Sequence, residues 1–243
     1  MNNATTPVLL IVPCYNEANR IKPDQFVSPK GCDVTFVFCD DGSADNTSDF
    51  LKNAFRGNLK AKVIRENVNV GKAEVIRRGI LWTKNNLNLS GFEWIGFWDA
   101  DLATPLTELP RMLQMHSLDN SKASVVIGSR VALAGYNIRR KPLRHYLGRI
   151  FVTVADLLLN IKVYDSQCGA KLFRPSVIDR AFTESFLSRW IFDLEILLRL
   201  QAEPLLEVPL KNWEDIPGSK VKIARESFRV LSDLFKLKKK YNR

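Results

Sequence analysis

The first 130 residues are punctuated by short apolar runs, each ending at a polar cluster. Val8–Val12 runs into Pro13-Cys14-Tyr15-Asn16-Glu17, and Val34–Cys39 into Asp40-Asp41-Gly42-Ser43. Phe92–Trp98 stops at Asp99-Ala100-Asp101, and Ser124–Ile127 at Gly128-Ser129-Arg130. Continuous apolar runs of this length read as strands buried on both faces. Helical spacing fills the gaps. A helix is predicted over about Ala44–Phe55, with Ser43 as its N-cap and Asp45 in its first turn. Another opens at Gly71, runs to about Asn86 and buries Ala73, Ile76, Ile80 and Leu87. Lys62–Arg65 reads as a brief strand, and a further helix follows Pro105. Such alternation predicts an α/β chain with a parallel sheet covered on both faces. In these sheets ligands bind beyond the carboxyl ends of the strands, so the four polar clusters should share one rim.

Past residue 130 the alternation breaks down. A basic, helical stretch reaches about Ile161, and no element is assigned to Asp165–Phe173. A helix around Phe192–Gln201, a strand at Leu205–Leu210 and a final helix from about Ile223 complete the chain. With 243 residues, one sizeable core needs no disulfide or metal staple. Cys14, Cys32, Cys39 and Cys168 form no CxxC pair, and the two histidines, His116 and His145, make a zinc site improbable. Buried, reduced thiols in a cytoplasmic protein are the expectation. The N-terminus lacks a basic segment and does not read as a signal peptide, and no apolar run approaches a membrane span.

The net charge of +10 is unevenly placed. Arg139, Arg140, Lys141, Arg144 and Arg149 crowd residues 138–150 without an acid, and residues 220–243 hold nine Lys or Arg against Glu226 and Asp233. Localised basicity points to an anionic partner at particular surfaces. No aromatic residues interleave with these cations as a base-stacking platform requires, so nucleic acid is not expected.

Two carboxylates at the end of one strand, Asp99 and Asp101, suit Mg²⁺ or Mn²⁺ shared with a diphosphate. A solvated turn before a helix would look the same in isolation. Asp40 and Asp41 are placed to accept hydrogen bonds from a base or ribose, or simply to form a turn. The chain lacks GxGxxG after its first strand and lacks GxxxxGK[ST], which disfavours a dehydrogenase or P-loop NTPase. No Ser-His-Asp or Cys-His pairing stands out.

Taken in order, Pro13–Glu17, Asp40–Thr47, Asn69-Val70-Gly71-Lys72, Asp99-Ala100-Asp101 and Gly128-Ser129-Arg130 resemble the family 2 glycosyltransferases of GT-A fold. Further on, Asp165–Phe173, Arg189–Glu195, Asn212-Trp213-Glu214 and Gly218-Ser219-Lys220 resemble the dolichyl-phosphate β-glucosyltransferase branch, beside the polyprenyl-phosphate mannosyltransferases. The resemblance spans about residues 7–222. It implies a GT-A domain with a nucleotide-sugar half (about 1–130) and an acceptor half (about 131–222), followed by a basic amphipathic helix over 223–243. It also implies a nucleotide-sugar donor, a divalent metal and an inverting single displacement. Pro13, Tyr15, Glu17, Asp40, Asp41, Lys72, Asp99 and Gln167 would bind the nucleotide sugar. Asp99 and Asp101 would hold the metal, and Arg130 would face phosphate at the reacting centre. Arg139, Arg140 and Lys171 would meet the acceptor phosphate. The resemblance departs at Ala103, where mannosyltransferase relatives often carry Gln, which favours the glucosyl-like branch.

A polyprenyl phosphate is already an anionic nucleophile and needs no base. A hydroxyl acceptor usually does, and Asp193 or Glu195 is then the candidate; either would equally serve as a helix cap or in a salt bridge with Arg189 or Arg199. The expected activity is hexose transfer, glucose from UDP-glucose, to polyprenyl phosphate on the inner face of a membrane. Transfer to a saccharide hydroxyl and an inactive membrane-binding module are the alternatives, and a homodimer is compatible with all three. Phe228, Leu231, Leu234 and Phe235, followed by Lys236 and Lys238–Lys240, suit either an interfacial helix or a core helix with a solvated tail.

Overall fold

Strand β1 (Thr6–Cys14) divides its side chains between two cores. Val8, Leu10 and Val12 enter one cluster, Leu9 and Ile11 the other, as the two-residue period of a strand requires. The structure, a computed structural model, describes residues 5–140, 142–216 and 223–241. Lys141, Gly218–Lys220 and the side chains of Arg144 and Phe228 lie outside the described residues.

β1 is the middle of a parallel group with β2 (Cys32–Asp40), β3 (Ala61–Arg65) and β4 (Trp94–Trp98). Beyond β4 come β5 (Val125–Ser129), β7 (Ala170–Phe173) and β8 (Leu205–Pro209), giving one seven-stranded sheet in the order β3-β2-β1-β4-β7-β5-β8. β7 alone runs antiparallel, inserted between β4 and β5. It therefore enters the sheet from the rim where its neighbours leave it, and carries Asp165–Gly169 to that rim. A small second sheet pairs β6 (Asn137–Arg139) with β9 (Asn212–Glu214).

Helices cover both faces, as expected. Leu51 of α1 (Thr47–Ala54) and Leu109 and Met112 of α3 (Glu108–Leu118) join one core. The other is covered by α2 (Lys72–Asn86), α5 (Pro175–Phe182) and α6 (Phe192–Arg199). α4 (Pro142–Leu159) and α7 (Ile223–Tyr241) lie against α6 around a third cluster containing Ala155, Leu159, Leu194, Leu198, Leu234 and Leu237. None of the helices, among the described residues, is long and apolar enough to cross a membrane.

Two local expectations need correction. The N-cap of α1 is Asn46 and not Ser43. Ser43 is drawn away because its N–H and hydroxyl donate to Asp40 Oδ1 while its Oγ accepts the Asn16 N–H. The alternation does not stop at residue 130, because β7 and β8 extend the same sheet. For α7, where the sequence leaves both an interfacial and a core helix open, Leu234 and Leu237 are fully buried, while Leu231 and Phe235 are exposed.

Candidate active site

The four clusters do meet at one rim, and side chains lock them together. Asn16, in the left-handed region that Asn tolerates (φ 52°), accepts the Ala44 N–H at 2.9 Å. The N–H groups of Glu17 and Ala18 donate to Thr47 Oγ1 at 2.8 and 3.1 Å. The β1 and β2 loops thus form one wall, with Tyr15 exposed on it.

Both β2 aspartates act on the chain itself. Asp41 accepts the N–H groups of Val70 and Gly71 at 2.6 and 2.9 Å and the Asn69 amide at 2.9 Å. Burial pushes its carboxyl up, against the pull of those two N–H donors. Asp40 is fully buried; its Oδ1 holds Ser43, and its Oδ2, without a hydrogen-bond donor, lies 3.6 Å from Arg65 Nε. These carboxylates, expected at the nucleotide, hold the surrounding loops in place. Gly71 then turns the chain into α2 at φ 93°, a conformation that suits glycine. A Cβ there would lie 2.6 Å from Arg189 Nε, and Arg189 also donates to Asn69 Oδ1 at 3.0 Å.

Lys72, the first residue of α2, reaches across to Asp99 Oδ1 at 2.5 Å. Burial pushes the Asp99 carboxyl up, but Lys72, then Lys171 and Arg130, outweigh it and hold the group below the usual carboxylate range. Asp101 goes the other way, raised by burial and by the neighbouring Asp99 charge. Burial presses Lys72 down, but Asp99 and Asp193 hold its ammonium above the ordinary value. Asp101 Oδ1 accepts the Ala103 N–H at 3.1 Å, closing a turn whose middle residue, Leu102, has φ 50°. Left-handed backbone at a non-glycine position is the kind of strain that clusters at functional sites. Gly169 completes the geometry, since a Cβ there would lie 2.0 Å from Asp99 Oδ2.

Does this pair fit a divalent cation? Among the described residues no cluster holds three His, Cys, Asp or Glu side chains, so the protein supplies two carboxylates here. The mutual repulsion that raises Asp101 is what a bound cation relieves, and a diphosphate would furnish the remaining oxygens. The residues fit Mg²⁺ or Mn²⁺.

Arg130 ends β5 in a two-pronged pair with Asp165, Nε to Oδ2 at 2.6 Å and Nη2 to Oδ1 at 2.7 Å. Burial alone would raise Asp165, but Arg130 overrides it and holds the carboxyl at about 2. The same ion pair raises Arg130 against its own desolvation. Glu207 on β8 fixes this turn by accepting the N–H groups of Tyr164 and Asp165, each at 2.7 Å. A small pocket opens beside the pair, lined by Arg130, Arg140, Arg149, Tyr164, Asp165 and Gln167, with Gly148 and Val152 of α4. Trp213 lies under the Arg130 guanidinium at 5.4 Å, and the Glu214 N–H donates to Ala103 O at 3.1 Å. β9 is thereby docked onto the Asp99–Asp101 turn.

Other expected residues have partners of their own. Lys171, expected at the acceptor phosphate, is fully buried and donates to Asp193 Oδ1 at 2.5 Å and Cys168 O at 2.6 Å. Asp193 is the counter-ion of Lys171. Glu195 is buried too, accepting from Arg199 at 2.8 Å, Tyr241 at 2.9 Å and the Leu187 N–H at 2.7 Å. Arg139 is exposed, lies 3.7 Å from Glu214, and lines an open cleft with Arg140, which also lines the Arg130 pocket. Pro13 pairs with Cys39 near the end of β1, one residue before the rim.

Arg20, Arg149, Asp165 and Arg189 also shape this region, and sequence reasoning assigned none of them an individual binding or catalytic role. Arg20 bonds Glu17 at 3.3 Å and stands 4.0 Å from Asp101. Asp165 had a usable signal, as the sole acid of its motif, close behind a basic stretch.

Comparison with known proteins agrees with this geometry. The family described as glycosyl transferase family 2 matches residues 9–182. The dolichyl-phosphate β-glucosyltransferase of Saccharomyces cerevisiae is 30% identical over 96% of this chain and 74% of its own length. The Homo sapiens dolichyl-phosphate β-glucosyltransferase is 31% identical over 90% of this chain and 71% of its own. Among solved structures, glucosyl-3-phosphoglycerate synthase from Mycobacterium tuberculosis, in complex with Mn²⁺, UDP-glucose and phosphoglyceric acid, superposes with a TM-score of 0.65. At 17% identity over 97% of this chain and 80% of that one, the likeness establishes the GT-A fold. The chain belongs to glycosyltransferase family 2.

Proposed function

We propose that this chain transfers glucose from UDP-glucose to a polyprenyl phosphate of the dolichyl type, at a membrane surface and with inversion at the anomeric carbon. The observation that carries the reading is one rim holding two chemically opposite subsites. One is the Asp99–Asp101 carboxylate pair; the other is the arginine pocket of Arg130, Arg140 and Arg149. The names of the relatives, dolichyl-phosphate β-glucosyltransferases, support glucose and lipid phosphate. UDP-glucose bound by the structural neighbour supports the donor.

In the reaction, an acceptor phosphate oxygen attacks the anomeric carbon as the bond to the donor diphosphate breaks, and nucleoside diphosphate leaves with the bonding electrons. No proton moves. That matches a site in which Asp193 and Glu195 are already committed to Lys171 and Arg199. Asp99 and Asp101 would hold Mg²⁺ or Mn²⁺, whose charge offsets that developing on the leaving diphosphate. Lys72 is placed to join them by exchanging Asp99 for a donor phosphate. Arg130, held rigid by Asp165, presents a fixed cation toward phosphate; preorganised charge of this kind is usually the largest catalytic contribution. Gln167, exposed at the pocket mouth, is near enough to meet the sugar.

The test is nucleotide release from UDP-glucose, UDP-galactose, UDP-GlcNAc and GDP-mannose with Mg²⁺ or Mn²⁺, each with and without polyprenyl phosphate in detergent. Release that requires the lipid and prefers UDP-glucose is expected. Release indifferent to lipid with every donor would discard the phosphate acceptor in favour of a saccharide hydroxyl.

A further inference from the structure

One side of α4 leaves large apolar side chains in solvent. Tyr146, Ile150 and Leu157 are 67%, 61% and 80% exposed and are spaced four and seven residues apart, which puts them on one side of the helix. Ala155 and Leu159, on the opposite side, are buried against the cluster that also holds Leu234 and Leu237 of α7. On α7, Leu231 and Phe235, four residues apart, are 44% and 60% exposed. Two adjacent helices therefore share an inner core and each leave large apolar side chains in solvent. Isolated apolar residues at a surface need no explanation; several of them on two helices that pack together do.

Charge identifies the occupant. Arg139, Lys162, Lys238 and Lys239 are exposed on and around the two helices, and Asp156 is the one acid in α4. Apolar side chains bordered by cations suit the interface of an anionic bilayer, with the rings and aliphatic groups below the headgroups and the cations among them. Position agrees, because Gly148, Arg149 and Val152 on another side of α4 line the arginine pocket.

We infer that the exposed sides of α4 and α7 form one docking surface for an anionic lipid bilayer, which brings the arginine pocket to headgroup depth. This rests on the lipid-phosphate reading above. It locates the membrane on the face of α4 as well as on α7, and assigns Leu231 and Phe235, not Leu234, to the lipid side.

The experiment floats the full chain with phosphatidylcholine vesicles, with and without phosphatidylglycerol. It compares wild type, Ile150→Glu with Leu157→Glu, and Leu231→Glu with Phe235→Glu. These side chains are exposed, so folding should be retained, which circular dichroism and the melting temperature report. Wild type should float with the anionic vesicles, less so as salt rises, and either double variant should lose about tenfold in partition. Turnover of a short-chain, water-soluble prenyl phosphate should be unchanged in both variants, while turnover of vesicle-borne undecaprenyl phosphate falls with partition. Variants that float like wild type would overturn the docking surface. So would sedimentation velocity showing a wild-type dimer that the substitutions dissociate, which would make the stripe an interface between two copies. If neither prenyl phosphate is turned over even by wild type, the lipid-acceptor reading fails, and flotation still judges the surface by itself.

Discussion

Asp99 and Asp101 are two residues apart, yet their surroundings push them in opposite directions. Lys72, Lys171 and Arg130 keep Asp99 ionised, and Asp99 in turn raises Asp101. Removing the charge at Asp101 while keeping its shape should therefore damage cation binding and leave the fold intact. Asp101→Asn should abolish metal-dependent turnover and weaken Mn²⁺ binding at least tenfold, followed by electron paramagnetic resonance, with an unchanged melting temperature; full activity would remove the metal role. Asp165 makes a different demand, because its partner Arg130 is nearly buried. Leaving one member of a buried ion pair alone typically costs about 3 kcal/mol. Asp165→Asn should lose about that much in urea denaturation at neutral pH. The folded-state carboxyl at about 2 lies below the ordinary value near 4, so the ion-pair contribution is complete above pH ~4 and fades as pH falls toward 2. The stability gap between wild type and variant should narrow across that window. A gap independent of pH would mean that the pair contributes nothing through ionisation.

The element that organises the site is β7, whose reversed direction brings Asp165–Gly169 to the rim between Asp99 and Arg130. Its tightest point is Gly169, where the Asp99 carboxylate occupies the space of a Cβ. Gly169→Ala must displace either strand end. Overpacking of this kind costs about 1–3 kcal/mol, but the carboxylate shift should cost far more in catalysis, about a hundredfold in kcat/KM. Activity within threefold of wild type would show that the rim accommodates the methyl. This strand was also the least legible in the sequence. Apolar runs expose β1, β2, β4 and β5 because every second residue, and those between, face a core. Ala170-Lys171-Leu172-Phe173 conceals a strand, because Lys171 is tolerated inside only through Asp193, a partner 22 residues further along. The same pairing ties Lys171 and Asp193, two expected site residues, to each other. A charged residue in a motif is visible in sequence, whereas the partner that neutralises it is fixed only by the fold. The carboxylate turn at Asp99–Asp101 and the cation at Arg130 needed no such knowledge, since their place follows from strand ends alone.

At the scale of the whole molecule, α7 closes the structure, and the lysine-rich ending of the helix disguises that role. Leu234 and Leu237 are fully buried among residues of α4 and α6, and the Tyr241 hydroxyl donates to the buried Glu195 carboxylate at 2.9 Å. Glu195 also anchors Arg199 and the Leu187 N–H, so the end of α7 supports the segment that carries Arg189 across to the Asn69–Gly71 turn. Removing residues 236–243 would therefore strip a core contact and a hydrogen bond along with four lysines, and could not report on membrane binding alone. Two point variants separate the functions. Leu237→Ala leaves every charge in place but opens a cavity, and should cost about 2–5 kcal/mol. The combined Lys238→Gln and Lys239→Gln variant leaves the core intact, and should stay within about 0.5 kcal/mol of wild type in stability. Urea denaturation followed by tryptophan fluorescence distinguishes them. If Leu237→Ala unfolds at the wild-type urea midpoint, α7 is an appendage. If its midpoint falls as expected, the helix that presents Leu231 and Phe235 outward is held by the same core that positions the rim. Anything that moves α7 then also reaches the donor side of the site through Glu195 and Arg189.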